Sequence, residues 1–94
     1  MDEVIFLEGE DWDGNTNEIC FHAQLSNENE LVSCRIPAEI LRDIFGATCT
    51  KLKELNSVFS RHRAEIEQIM ARLIQAERYE VDGTVVIQKQ DISP

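Results

Sequence analysis

The first 34 residues contain no lysine and no arginine, yet they carry nine carboxylates. From Arg35 onward nine basic residues match nine acidic ones, so this opening segment accounts for the whole net charge of −9. A nucleic-acid binder needs a basic stripe, because neutralising phosphates dominates its affinity, and the imbalance argues against that role. Long apolar runs are also missing. The longest aliphatic or aromatic run covers only residues 4–7, between Asp2, Glu3, Glu8 and Glu10. Neither a membrane span nor a signal-peptide core is that short or so flanked, which predicts a cytoplasmic chain with no membrane role. Three widely spaced cysteines fit reduced thiols better than a disulfide framework. With two prolines and four glycines there is no linker, repeat or low-complexity segment, and residues 1–94 are expected to form one domain.

What the chain does have is one long amphipathic stretch, residues 50–78. Leu52, Leu55, Phe59, Ile66, Ile69 and Leu73 alternate three- and four-residue steps once His62 fills the gap, which predicts one continuous helix. Asn56-Ser57 offers a place for a bend, but the stretch is read as one continuous element. Thr48 or Thr50 is available as its N-cap, and Arg61–Glu65 and Arg63–Glu67 are four-apart surface pairs. A shorter helix precedes it: Pro37 suits a first turn, Ile40, Leu41, Ile44 and Phe45 share a face, and Gly46 provides a left-handed stop.

The strands read from alternation. Residues 3–7 and 84–89 are rich in Val, Ile and Phe, while residues 8–17 are dense in turn formers and read as a loop holding Trp12. Residues 18–25 and 30–36 flank a turn at residues 26–29. Opposing Leu25 with Glu30 sets Ala23 against Val32, Phe21 against Cys34 and Ile19 against Ile36, which makes one face wholly apolar. Cys20, His22 and Gln24 then share the other face with Ser33 and Arg35. Asp82-Gly83 turns the chain before the last strand. The order β-β-β-α-α-β predicts a two-layer α+β sandwich, with an antiparallel three-strand meander and a C-terminal strand packed on a short and a long helix.

Phe6, Trp12-Asp13, Ile19-x-Phe21, Cys34-x-Ile36, Leu41, Phe45-Gly46, Phe59, Arg63 with Ile66, and Asp82-Gly83 give the chain a further handle. In these positions it resembles a family of small bacterial proteins catalogued as domain of unknown function 1488 (DUF1488), over roughly residues 4–92. The resemblance implies a compact three-strand, two-helix, one-strand α+β domain. It implies no activity and no functional residues, because the shared positions are mostly apolar or turn residues.

Signals for chemistry are sparse. Cys20-x-His22 is half of a zinc site, but Cys34 points to the opposite face, while Cys49 and His62 belong to the helical side. Cys49 near a helix start fits an inert, buried or half-buried thiol better than an activated one, since His62 would lie about 20 Å along the helix and only His22 is left as a base. His62 in the apolar stripe fits a core-edge histidine better than a general base, and its spacing to Glu65 is not the repeated di-iron arrangement. Aligning Gly14 to the glycine of a calcium loop puts Gly9 and Cys20 where carboxylates belong. No cofactor, metal or catalytic set is expected. Lys51, Lys53, Arg61, Arg63, Arg72 and Arg78 read as a solvated helix face, or as a surface able to dock the acidic half of a second copy. These readings point to a non-enzymatic interaction or accessory domain that binds a protein partner or itself, with Trp12, His22, Arg35 and His62 as candidate surface residues. The alternative is a small-molecule binder or minor enzyme using Cys20, His22, Ser33 and Arg35.

Overall fold

A computed structural model describes residues 3–26, 30–48 and 51–92. Its centre is the antiparallel pair β3 (Glu18–Leu25) and β4 (Leu31–Pro37). Ala23 stands opposite Val32, Phe21 opposite Cys34 and Ile19 opposite Ile36, the register that alternation demands. All six are buried. A one-residue slip would turn the large ones into water at about 1.5–3 kcal/mol each, so the register is strongly specified. The expected turn reaches into residues 27–29, outside the described residues; Ser26, at its start, exchanges bonds with Glu3 through its backbone N–H (2.9 Å) and its Oγ (3.1 Å).

The far edge of β3 is lined twice. β1 (Val4–Phe6) pairs antiparallel with Ala23–Leu25, as its composition predicts. The stretch expected to be a plain loop holds a second short strand, β2 (Asp11–Asp13), which pairs with residues 18–20 of β3. Asp-Trp-Asp has little strand propensity of its own, and the ladder to β3 holds it extended. Between β1 and β2 the edge bulges at Gly9 (φ +96°), after Leu7 has given its N–H to the His22 carbonyl at 3.0 Å. Asp13 Oδ1 accepts the Asn15 N–H at 2.9 Å, which closes the turn into β3.

Pro37 ends β4 and caps α1 (Ala38–Asp43). Ile40, Leu41 and Phe45 are buried, whereas Ile44, expected on the same face, is 39% exposed. Ile44 is the C-cap of α1, its N–H returning to the Ile40 carbonyl, and its side chain lies at the exposed end of the stripe. Gly46 does take the left-handed conformation (φ +88°), and the Ala47 N–H returns to the Leu41 carbonyl at 3.0 Å.

The long helix is not continuous. It divides at His62 (φ −106°, ψ 15°) into α2 (Leu52–Arg61) and α3 (Arg63–Gln75), six residues after the suspected bend at Asn56. The division is invisible to periodicity, because His62 occupies a slot of the stripe on either reading and Leu55, Phe59, Ile66, Ile69 and Leu73 are all buried. Lys51, with no side-chain bond, caps α2, so Thr48 is not the cap; Thr50 lies outside the described residues.

The last strand is shorter than its composition predicts. β5 is Val85–Val86, followed by a 3₁₀ turn at Lys89–Asp91. It runs parallel to β4, Cys34 opposite Val85 and Arg35 opposite Val86, giving the order β1-β3-β4-β5 with β2 beside β3. Val85 and Ile87 are buried. The molecule is therefore a two-layer α+β protein, its described residues forming a mixed five-stranded sheet with three helices on one side of it. No described helix is long and apolar enough to cross a membrane.

Candidate functional site: the outer face of the sheet

Because the helices cover the Ile19–Phe21–Ala23 side, the alternate residues face outward. The register sets them in rows across the strands. Ile5, Gln24 and Leu31 form one row, His22 and Ser33 the next, and Asp11, Cys20, Arg35 and Val86 the third. Asp13, Glu18 and Pro37 form the last. Cys20, His22, Ser33 and Arg35 thus lie side by side, as the sequence places them.

Arg35 organises the acidic end. Its Nη1 donates to Asp13 Oδ2 at 2.9 Å, Glu18 Oε1 at 3.1 Å and Thr16 Oγ1 at 3.3 Å. The bond from Arg35, helped by the Asn15 N–H, holds the Asp13 carboxyl below its ordinary pKa. With two carboxylates on Nη1, the guanidinium is held charged. Beside this cluster the turn at Asp82-Gly83, stitched by Thr84 N–H and Oγ1 bonds to Asp82 at 3.0 and 2.7 Å, forms the far wall of an open cleft. The cleft has a volume of about 510 Å³, with Arg35, Glu80, Val81, Asp82 and Val86 among its lining residues. Asp13, Glu18, Glu80 and Asp82 give it four carboxylates against one arginine. Hydrogen bonds from Thr84 hold the Asp82 carboxyl below its ordinary pKa.

Cys20 is half-buried between Asp11 and Arg35, and burial raises its thiol pKa more than the arginine lowers it. That is the environment of a resting thiol. Around the rows, Ile5 is 46% exposed, Leu31 58% and Val81 wholly exposed.

The four candidate surface residues do not converge. His22 and Arg35 share the outer face. Trp12, opposite Ile19, turns to the helical side and packs half-buried against the core, where it lines a groove with Asn17, Pro37, Glu39 and Arg42. His62 sits at the α2–α3 junction with its ring 5.2 Å from that of Phe45. Cys34 is buried, and burial pushes its thiol up to about 12. Cys49 lies outside the described residues. Among those residues no three of His, Cys, Asp and Glu stand together as a metal site.

Sequence reasoning undervalued Arg63, which it read as half of a surface pair. Besides Glu67 (2.8 Å) it reaches Glu10 (3.1 Å) and the Leu7 carbonyl (2.7 Å) on the bulged edge. Its guanidinium carbon lies 5.4 Å from the Phe59 ring centre and 5.9 Å from that of Phe21. The signal available was its position, four after Phe59 and three before Ile66, on the margin of the apolar stripe.

A mixed-sheet α+β domain with one open sheet face is the class this geometry defines. The model of a family described as "protein of unknown function (DUF1488)" matches residues 4–87, and the chain belongs to that family. It is also similar to a solved structure, a protein of unknown function of the same family from Shewanella loihica PV-4. The two are 26% identical, with a TM-score of 0.82 over 89% of this chain and 90% of that one. No curated protein shows significant similarity to the chain.

Proposed function

We propose that this chain is a small, non-enzymatic interaction domain of the cytoplasm that binds a protein partner through the outer face of its sheet. The observation that carries this reading is the uncovered face itself, with Ile5, Leu31 and Val81 exposed around rows of half-buried polar residues. Exposed large apolar side chains beside polar ones on a face that no element of the described fold covers are material for an interface. The strongest cation on the face is consumed by Asp13 and Glu18, and Cys20 has the raised pKa of an unreactive thiol, so neither is poised for chemistry. The chain's excess of carboxylates speaks for a protein rather than a nucleic-acid partner.

The test is a tagged pull-down from nuclease-treated bacterial lysate at moderate salt, with wild type beside Leu31→Ser and His22→Ala. A stoichiometric protein retained by wild type and lost from the Leu31 variant is the expected result. An eluate whose composition both variants leave unchanged removes the outer face as the binding surface.

A further inference from the structure

Resting on that interaction reading, we propose that the occupant of the outer face is a cationic polypeptide segment of another protein, apolar towards one end and rich in lysine or arginine towards the other. The face is polarised along β3. One end carries Ile5, Gln24 and Leu31; the other carries Asp11, Asp13, Glu18, Glu80 and Asp82 around Arg35. The two ends are six residues of strand apart, on the order of 20 Å at about 3.3 Å per residue. A ligand that covers both buries aliphatic residues over Leu31 and Ile5 and presents its charges to the acidic cleft. There Val86 and the wholly exposed Val81 offer a surface for the methylene stems of lysine or arginine.

Charge decides the occupant. Asp13 and Glu18 together outweigh the single charge of Arg35 that they bind, so the cluster stays net negative and disfavours an anion, while Glu80 and Asp11 form no ion pair among the described residues. A second copy stacked sheet to sheet would set the acidic ends against each other or against apolar rows. A second copy docked through its helical layer brings Lys51, Lys53, Arg61 and Arg72 interspersed with Glu54 and Glu65, and brings its own −9 with it. A segment of net positive charge meets neither penalty, and its approach to an acidic chain is steered by long-range attraction. Backbone adds a further anchoring option. β5 pairs with β4 only at Cys34 and Arg35, and among the described residues no strand lies beside Leu31 to Ser33 on that edge.

The experiment uses the full chain and a fluorescein-labelled peptide of about twelve residues, long enough to span the face. The peptide carries two leucines near one end and three lysines near the other, on a serine background; a second peptide replaces each lysine with glutamate. Fluorescence polarisation is followed across salt, and amide shifts are mapped by NMR. We expect the lysine peptide to bind and the glutamate peptide not to, with affinity falling as salt rises. Shifts should concentrate at Cys20, His22, Leu31, Arg35 and Val86. The double variant Asp11→Lys with Glu80→Lys should weaken binding at least about tenfold, while Glu54→Lys with Glu65→Lys on the helices changes it by less than about twofold, since contact rather than net charge decides it. Shifts scattered over the helical layer, equal losses in the two double variants, equal binding of both peptides, or no binding would each overturn the cationic assignment. The interaction reading would survive any of these if the pull-down still showed a partner lost with Leu31→Ser, so the two failures are separable.

Discussion

At the scale of single residues, the informative ones are those whose surroundings override their type. Cys34 lies in the buried row opposite Phe21, its Sγ–H directed at the Val32 carbonyl (3.6 Å), and burial raises its pKa to about 12. Iodoacetamide at pH ~8 should therefore leave Cys34 unmodified in the folded protein and alkylate it once urea has unfolded the chain, which peptide mass mapping reads directly. Labelling of Cys34 in the native protein as fast as in urea would contradict its burial. Arg63 is the second case. It joins the start of α3 to the bulged edge strand through Glu10 and the Leu7 carbonyl, with its guanidinium carbon over the rings of two buried phenylalanines. Arg63→Met keeps the stem and removes the donors, and should cost about 1–3 kcal/mol in urea unfolding. A loss no larger than that of Arg61→Met, an exposed neighbour, would reduce Arg63 to a surface residue.

The elements are stopped by backbone geometry more than by composition. α3 ends with Glu77 in the left-handed region (φ +56°), Glu77 N–H on the Ile74 carbonyl and Arg78 N–H on the Leu73 carbonyl, both at 3.0 Å. This is the paired-bond helix ending in which glycine is favoured, and here a glutamate fills the position. Glu77→Gly should accordingly stabilise the protein, by about 0.5–1 kcal/mol, against the usual penalty for glycine. Chemical denaturation decides it, and a lower midpoint would mean the helix does not end as described. Nothing in the sequence marked Glu77 as a stop, because its left-handed φ follows from where α3 must release the chain towards β5. The same holds at His62: the apolar stripe runs on through the junction, and the division has no residue signature.

For the molecule as a whole, the acidic excess makes stability sensitive to how carboxylates are held. Asp13 is the clearest instance, its pKa lowered chiefly by the bond from Arg35. A carboxyl with a lowered folded pKa contributes stability that is present above its unfolded value and is lost as pH falls through the folded one. Arg35→Met should thus melt below wild type at pH 7, and the gap between the two should close as pH drops below about 4. A gap of constant width from neutral to acid pH would show that Arg35 acts through packing and not through Asp13.

Much of the architecture was legible in advance because it depends on local alternation. The β3–β4 register follows from matching apolar faces, and Ile19, Phe21, Ala23, Val32, Cys34 and Ile36 are buried where the pattern puts them, with Leu25 partly buried at the end of the row. The α+β class follows from the order of strands and amphipathic helices. The outer face was legible for the same reason, since knowing the inner residues of two paired strands identifies their outer neighbours. Tertiary structure alone decided the rest. β2 exists because β3 offers an edge to an intrinsically poor strand sequence, and β5 lies parallel to β4 because three helices carry the chain back across the sheet. The acidic cleft joins Asp13 and Glu18 to Glu80 and Asp82, more than sixty residues apart in sequence. Side-chain period is a property of neighbours along the chain, whereas strand insertion, helix breaks and clefts depend on which distant surfaces meet, and no local pattern encodes that.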